Sequence, residues 1–303
     1  LLSRGHRVRG LVRSLDKAAK SLPVDDRLTI EAGDVLKAAD RDRLLRGCDA
    51  CVNTIGIIRE APGGQTFRRV HVLTTRGLVD ACEELGVKRF VQVSALGVHD
   101  EGEYGYRRSK FESEMLVRRS SLAWTILRPS MILGEGSGFL EMARGWVTGR
   151  SFPHVFIPYF QRHVGGPPVP GLAKLEDPVL APVDVDDVAK AVAESLSRAE
   201  AVGEVYDLAG PDRVTMPAIL TTLREHVPLA KKRLRLVGAP SSVAEKAAGA
   251  ARFLGLKYAL PFDEGMAMMA GEDGVAETTK LQAQLGFAPG SVMDRLPEIA
   301  RAM

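Results

Sequence analysis

Tyr106 and Lys110 stand four residues apart in the stretch YGYRRSK, 104–110. On a helix such a pair shares one face, about one turn apart. A lysine cation beside a phenol favours the phenolate, so the spacing predicts a Tyr106 pKa below the ordinary ~10. A tyrosine so tuned passes a proton to or from a carbonyl or alcohol while a hydride moves. The same lysine can hydrogen-bond the ribose hydroxyls of a nicotinamide nucleotide. The plain alternative is that the ring packs and the lysine is a solvated helix charge. The choice depends on whether the rest of the chain builds a place for a cofactor.

The first half alternates apolar strands with amphipathic helices. Strands are expected at 8–13, 27–34, 49–58, 88–97 and 122–134, and helices at 40–47, 67–86 and 106–120. The nearly all-apolar run DACVNTIGII, 49–58, fits a strand covered on both faces. Strand, helix, strand with short turns implies parallel pairing through crossovers, hence an α/β doubly wound parallel sheet. In such sheets a ligand sits at the carboxyl ends of the strands, and Tyr106 opens the helix that follows the strand VQVSALG, 91–97. Residues 150–182, rich in Pro, Gly and aromatics, are expected to form a long ordered loop or lid. A strand and helix over 181–199, a strand at 204–210 and a helix at 214–227 follow, and the remainder reads as mostly helical. Asp184 and Asp187 are read as structural, capping a helix.

Composition narrows the function classes. The 303 residues carry 41 basic and 38 acidic side chains, a formal net charge of +3, which argues against a nucleic-acid partner. Cys48 and Cys51 form a C-x-x-C without a second pair to complete a zinc site, so they and Cys82 are read as buried small hydrophobes in a reducing compartment, with no metal. No apolar run approaches the ~20 residues of a membrane helix, and a cytoplasmic protein is expected. Lys231, Lys232, Arg233 and Arg235 precede the helical stretch VAEKAAGAARFLG, which leaves open a peripheral seat on the inner face of a membrane beside the plainer reading as a solvated turn.

The ordered set GHRVRGLVRS, AGDV, NTIG, VHVLTTRGLVDACEELGVKRFVQVSALG, YRRSKFESE, ILRPSMILG, PVDVDDVAKAV and VYDLAGP resembles the extended and atypical short-chain dehydrogenase/reductase superfamily. Within it the chain is most similar to NAD(P)H-binding, sugar-epimerase-like proteins related to the 39 kDa accessory subunit of respiratory complex I. The resemblance implies a Rossmann-type unit over 1–135, to which 179–210 returns, and a smaller substrate or partner lobe from 136–178 and 211–303. It implies Tyr106, Lys110 and Ser94 as catalytic residues. It implies cofactor contacts at Arg13, Ser14, Asp34, Val35, Thr54, Ile55, Gly56, Lys110, Pro129 and Ser130. Arg13, where an acid would bind the free ribose hydroxyl of NAD, points to NADP(H) over NAD(H).

Three departures from the family pattern bear on turnover. LLSRGHRV matches the end of the helix that follows the Gly-rich turn, which places the first strand and that turn, roughly 20 residues, upstream of Leu1. Leu96 stands where active members carry Ser or Thr, and His71 where many carry Asn. The expected function is an NADP(H)-binding oxidoreductase for a small or lipophilic carbonyl, quinone or sugar-derived substrate. The alternative is a non-catalytic NADPH-binding accessory or assembly protein of a respiratory or quinone-biosynthesis complex.

Overall fold

The structure, a computed structural model, describes residues 1–101, 105–167, 174–253 and 270–303. In chain order its strands are β1 (Val8–Val12), β2 (Leu28–Ala32), β3 (Ala50–Asn53), β4 (Arg89–Val93), β5 (Ala123–Pro129), β6 (Ile132–Leu133), β7 (Ile157–Gly165), β8 (Lys174–Glu176), β9 (Val179–Leu180), β10 (Val183–Asp184), β11 (Glu204–Leu208), β12 (Val214–Thr215) and β13 (Leu236–Pro240). The α-helices are α1 (Leu15–Ser21), α2 (Ala38–Leu45), α3 (Thr74–Leu85), α4 (Tyr106–Arg119), α5 (Gly138–Val147), α6 (Val185–Ser197), α7 (Met216–His226), α8 (Ser241–Phe253), α9 (Thr279–Leu285) and α10 (Val292–Ala302).

Four strands pair in the order β11-β5-β4-β3, all parallel. Successive side chains on a strand point to opposite faces, and here each face has its own core. Cys51, Phe90 and Ile126 pack with Leu78 and Cys82 of α3 and Val117 of α4. Val91 and Leu127 pack with Val188, Ala191 and Val192 of α6. Helices therefore cover both faces, the doubly wound arrangement that the uninterrupted apolar strands required. β1 and β2 pair in parallel as a separate two-stranded sheet among the described residues.

Local chemistry sets the helix ends. Ser14, Ser137, Asp184 and Ser291 cap α1, α5, α6 and α10 by accepting backbone N–H bonds from Lys17, Leu140, Asp186 and Asp294. Gly86, at φ 75°, closes α3 in a left-handed conformation that costs glycine little. Asp184 also pairs with Arg295 at 2.5 Å, and Asp187 accepts the Gly290 N–H at 2.8 Å, so both carboxylates are structural as expected.

Residues 150–182 depart from the expected loop. Within them β7 pairs in parallel with β13 and antiparallel with β8, with an irregularity between His163 and Gly165. Residues 168–173 of that stretch lie outside the described residues. β13 is likewise a strand in a region read as helical, and α1 is a helix that the sequence reading passed over. Two expected strands are shorter than read: β3 ends at Asn53 and β4 at Val93, because the chain beyond them turns into the strand-end site. A third core joins Leu140 and Val147 of α5, Ile157 of β7, Ile219 and Leu223 of α7, and Leu296 of α10.

Candidate active site

The site is built at the carboxyl ends of β3, β4 and β5. Beyond β4 the chain stays pinned to β5: Ser94 N–H donates to the Leu127 carbonyl at 2.7 Å and Leu96 N–H to the Pro129 carbonyl at 2.9 Å. Beyond β3, the buried Asn53 holds the turn from inside. Its amide donates to Gln92 Oε1 at 2.9 Å and Thr75 Oγ1 at 3.2 Å, while its Oδ1 accepts the Ile55 N–H at 3.1 Å. Thr54, Ile55 and Gly56 are exposed on that turn.

Lys110 lies in α4 with its side chain buried, and its ammonium donates to the Val93 carbonyl at 3.2 Å. A Cβ added to Gly56 would stand 3.0 Å from Lys110 Nζ, so the 54–56 turn passes directly over the ammonium and glycine is what lets it. Burial pulls the Lys110 pKa down to about 8, against the opposing pull of Glu114 one turn along α4. Glu114 is itself fully buried and held by Arg128, whose Nε and Nη2 lie 2.9 and 2.7 Å from its carboxylate.

Tyr106 does not behave as its spacing implied. Burial pushes its phenol up to about 12, Lys110 is not among the causes, and no hydrogen bond joins the two side chains among the described residues. The Lys110 ammonium turns to the Val93 carbonyl instead of the phenol, so at neutral pH Tyr106 is a protonated acid. Its ring makes edge contacts with His71 and Phe67, at centroid distances of 5.6 and 6.0 Å.

His71 ties these pieces together. It sits in a π-helical turn, Arg68–Leu73, that runs into α3; such turns occur often at functional sites. Its Nε2 accepts the Ile57 N–H at 3.1 Å, which assigns the proton to Nδ1. Nδ1 then donates to Ser109 Oγ at 2.8 Å, and Ser109 Oγ donates to the Tyr106 carbonyl at 2.7 Å. Burial, followed by the Lys110 charge, drives the His71 pKa down to about 3, so the ring is neutral. Ser109 and Asn53 were not singled out from the sequence. Ser109, three residues after Tyr106 and next to Lys110, was accessible to the same helical-spacing argument.

The remaining candidates divide. Ser94 is buried and its Oγ has no partner among the described residues. Pro129 is buried at the end of β5, and Ser130 Oγ donates to the Ala181 carbonyl at 2.5 Å. Arg13 and Ser14 follow β1, and Asp34 and Val35 follow β2, at the carboxyl ends of the separate pair. Arg13 is exposed and makes no ion pair among the described residues, Ser14 caps α1, and Asp34 Oδ1 accepts the Leu36 N–H at 3.0 Å. Val35 packs on the α3 side of the sheet.

These groups fit the ribose and nicotinamide end of a dinucleotide. A buried ammonium has three N–H donors, and among the described residues Lys110 uses one, on Val93. Ser94 Oγ is orphaned beside the same strand end. Buried polar groups in native proteins are nearly all paired, so two neighbouring groups short of partners mark a place for ligand hydroxyls.

Residues 1–145 match a family model described as NAD(P)H-binding. The UPF0659 protein YMR090W of Saccharomyces cerevisiae is 34% identical over 146 residues, 43% of this chain and 61% of that protein. NADH dehydrogenase (ubiquinone) 1 alpha subcomplex subunit 9, mitochondrial, of Rattus norvegicus is 29% identical over 147 residues, 48% of this chain and 34% of that protein. The chain therefore spans less than two thirds of the length of either relative. In fold, it superposes on the UDP-glucuronic acid 4-epimerase from Bacillus cereus, solved in complex with NAD, with a TM-score of 0.68 at 15% identity, covering 100% of this chain and 90% of that one.

Proposed function

We propose that the protein is an NADP(H)-dependent oxidoreductase that reduces a carbonyl, a reading supported by the match of residues 1–145 to a family model described as NAD(P)H-binding and by the Rossmann-type fold. The carrying observation is the buried Lys110 ammonium, with a single acceptor among the described residues, beside the Ser94 hydroxyl, which has none among them.

The nicotinamide, when bound, supplies the hydride. Lys110 would hold the ribose through the N–H donors it leaves unused among the described residues, Gly56 lets the 54–56 turn pass over the ammonium, and Pro129 and Ser130 would border the nicotinamide. Thr54, Ile55, Asp34 and Val35 line the rest of the cofactor path. Tyr106 is the proton donor, and its high pKa suits that role: the phenol holds its proton at neutral pH and releases it to an oxygen that becomes strongly basic as hydride arrives. Ser94 Oγ, free to donate, assists at the same oxygen. The Arg13 guanidinium, which makes no ion pair among the described residues, with Ser14 next to it, favours a ribose 2′-phosphate and hence NADP(H) over NAD(H). The substrate class is a small or lipophilic carbonyl, a quinone or a sugar-derived compound, and the working compartment is the cytoplasm.

One observation favours a second reading. Both ring nitrogens of His71 are committed, to Ile57 and Ser109, so His71 cannot relay protons, and Leu96 provides no hydroxyl. A protein that binds NADPH without turning it over, as an accessory of a respiratory or quinone-biosynthesis complex, would need neither. The rat relative is by name a subunit of such a complex. NADPH binding and NADPH consumption, measured on the protein expressed from its complete reading frame with Tyr106→Phe alongside, separate the two readings.

A further inference from the structure

Far along the chain from the cofactor residues, two loops carry a combination of side chains that the reaction does not use. The first, 148–156, leaves the end of α5, and the second, 227–235, leaves the end of α7. They are bound together: Lys231 N–H donates to the Val147 carbonyl at 2.8 Å and Ile157 N–H to the Arg235 carbonyl at 2.9 Å. A Cβ added to Gly149 would lie 2.9 Å from Lys231 Nζ, so side chains of the second loop lie directly on the first.

Three large apolar residues on these loops stand in water: Phe152 is 71% exposed, Val155 72% and Leu229 76%. Arg150, Lys231, Lys232, Arg233 and Arg235 are exposed beside them, and none makes an ion pair among the described residues. Neither loop contains an acidic residue. Among the described residues the two non-glycine residues with positive φ, His154 at 62° and Leu229 at 64°, both fall here. Such backbone is costly for non-glycine residues and concentrates at functional segments. A solvated turn explains the cations but not the three apolar side chains held out among them.

We propose that these loops form one site that docks the protein on an anionic lipid bilayer, with Phe152, Val155 and Leu229 entering the headgroup region and the five cations meeting lipid phosphates. Apolar groups ringed by lysine and arginine suit that boundary, where acyl chains and anionic headgroups lie within one side-chain length of each other. The charge complementarity is local, since the whole chain carries a net charge of only +3. For an enzyme this would bring the molecule to lipophilic substrates dissolved in the membrane, although the docking site stands whether or not the cofactor reading does.

The test is co-sedimentation of the protein with vesicles of phosphatidylcholine alone and with about one part in three phosphatidylglycerol. The expected result is sedimentation with the anionic vesicles only, released at about 1 M salt, where the screening length falls to about 3 Å. The Phe152→Ser/Val155→Ser/Leu229→Ser variant should bind the anionic vesicles roughly tenfold or more weakly. Lys231→Glu/Lys232→Glu/Arg233→Glu should not sediment with them. Circular dichroism and unfolding midpoints check that both variants are folded, and release of wild-type protein by salt needs no variant. Failure of the wild-type protein to sediment with anionic vesicles would overturn the proposal. So would unchanged sedimentation of the folded apolar variant, which would reduce the patch to a general polyanion binder.

Discussion

Lys110 Nζ lies 3.2 Å from the carbonyl oxygen of Val93, with its side chain buried and no second acceptor among the described residues. Holding an ammonium in this way is costly, and the proposed ribose contact is what would offset that cost.

The first prediction follows from that cost. The Lys110 pKa is about 8 when folded, against an ordinary value of 10.5. Between those values the unfolded chain binds the additional proton, so stability rises with pH across the window, and below pH 8 the full penalty applies. Each pKa unit corresponds to about 1.4 kcal/mol. Lys110→Met should therefore stabilise the ligand-free protein at pH 7 by about 1–3 kcal/mol. The advantage should shrink toward pH 10.5, and NADPH affinity should fall by tenfold or more. Chemical denaturation at several pH values, paired with NADPH fluorescence titration, checks both effects.

His71 predicts an acid limb of the same origin, the burial of a group that is cationic when protonated. Its folded pKa is about 3, against an ordinary value of 6.5. This depressed pKa contributes stability that is fully present above pH 6.5 and lost as pH falls toward 3. The loss amounts to roughly 3–5 kcal/mol for an otherwise buried, neutral ring. His71→Asn should flatten denaturation midpoints measured from pH 7 to pH 4 relative to wild type. A parallel slope in the two proteins would count against the neutral ring.

The proposed cofactor choice rests on Arg13, which is exposed just past β1 and makes no ion pair among the described residues. Arg13→Glu should lower NADPH affinity by roughly tenfold to a hundredfold, the size of a lost charge-assisted contact, and leave NADH affinity less changed. Competitive titration of the two nucleotides reads the ratio. Tighter binding of NADH than NADPH by the wild-type protein would remove Arg13 from this role.

Much of the fold was legible because both faces of the sheet are covered. Phe90 and Val91 are neighbours in β4, yet each enters a different core, and such strands read as continuous apolar runs. β7 was not legible: IPYFQRHVG contains a proline and a glycine, does not alternate, and pairs with β13 some seventy residues further on. In the site, helical spacing located Tyr106 and Lys110 on one face of α4 but misjudged what that face does. The spacing could not show that the Lys110 ammonium turns to a backbone carbonyl on β4, nor that burial of the phenol raises the Tyr106 pKa instead of lowering it. The Glu114–Arg128 pair was hidden for a related reason, since it joins a helix to a strand fourteen residues away. Ser94 was visible as a type, but only the structure shows that its hydroxyl is buried and without a partner among the described residues.

The central claim is that Tyr106 donates the proton in an NADPH-dependent carbonyl reduction. Its most direct test is single-turnover NADPH consumption over a panel of carbonyls and quinones, comparing wild type with Tyr106→Phe. The predicted result is NADPH binding by both proteins, turnover of at least one substrate by wild type, and loss of roughly a hundredfold or more in the variant. Equal turnover by the two proteins, or binding with no Tyr106-dependent turnover on any substrate, would contradict it.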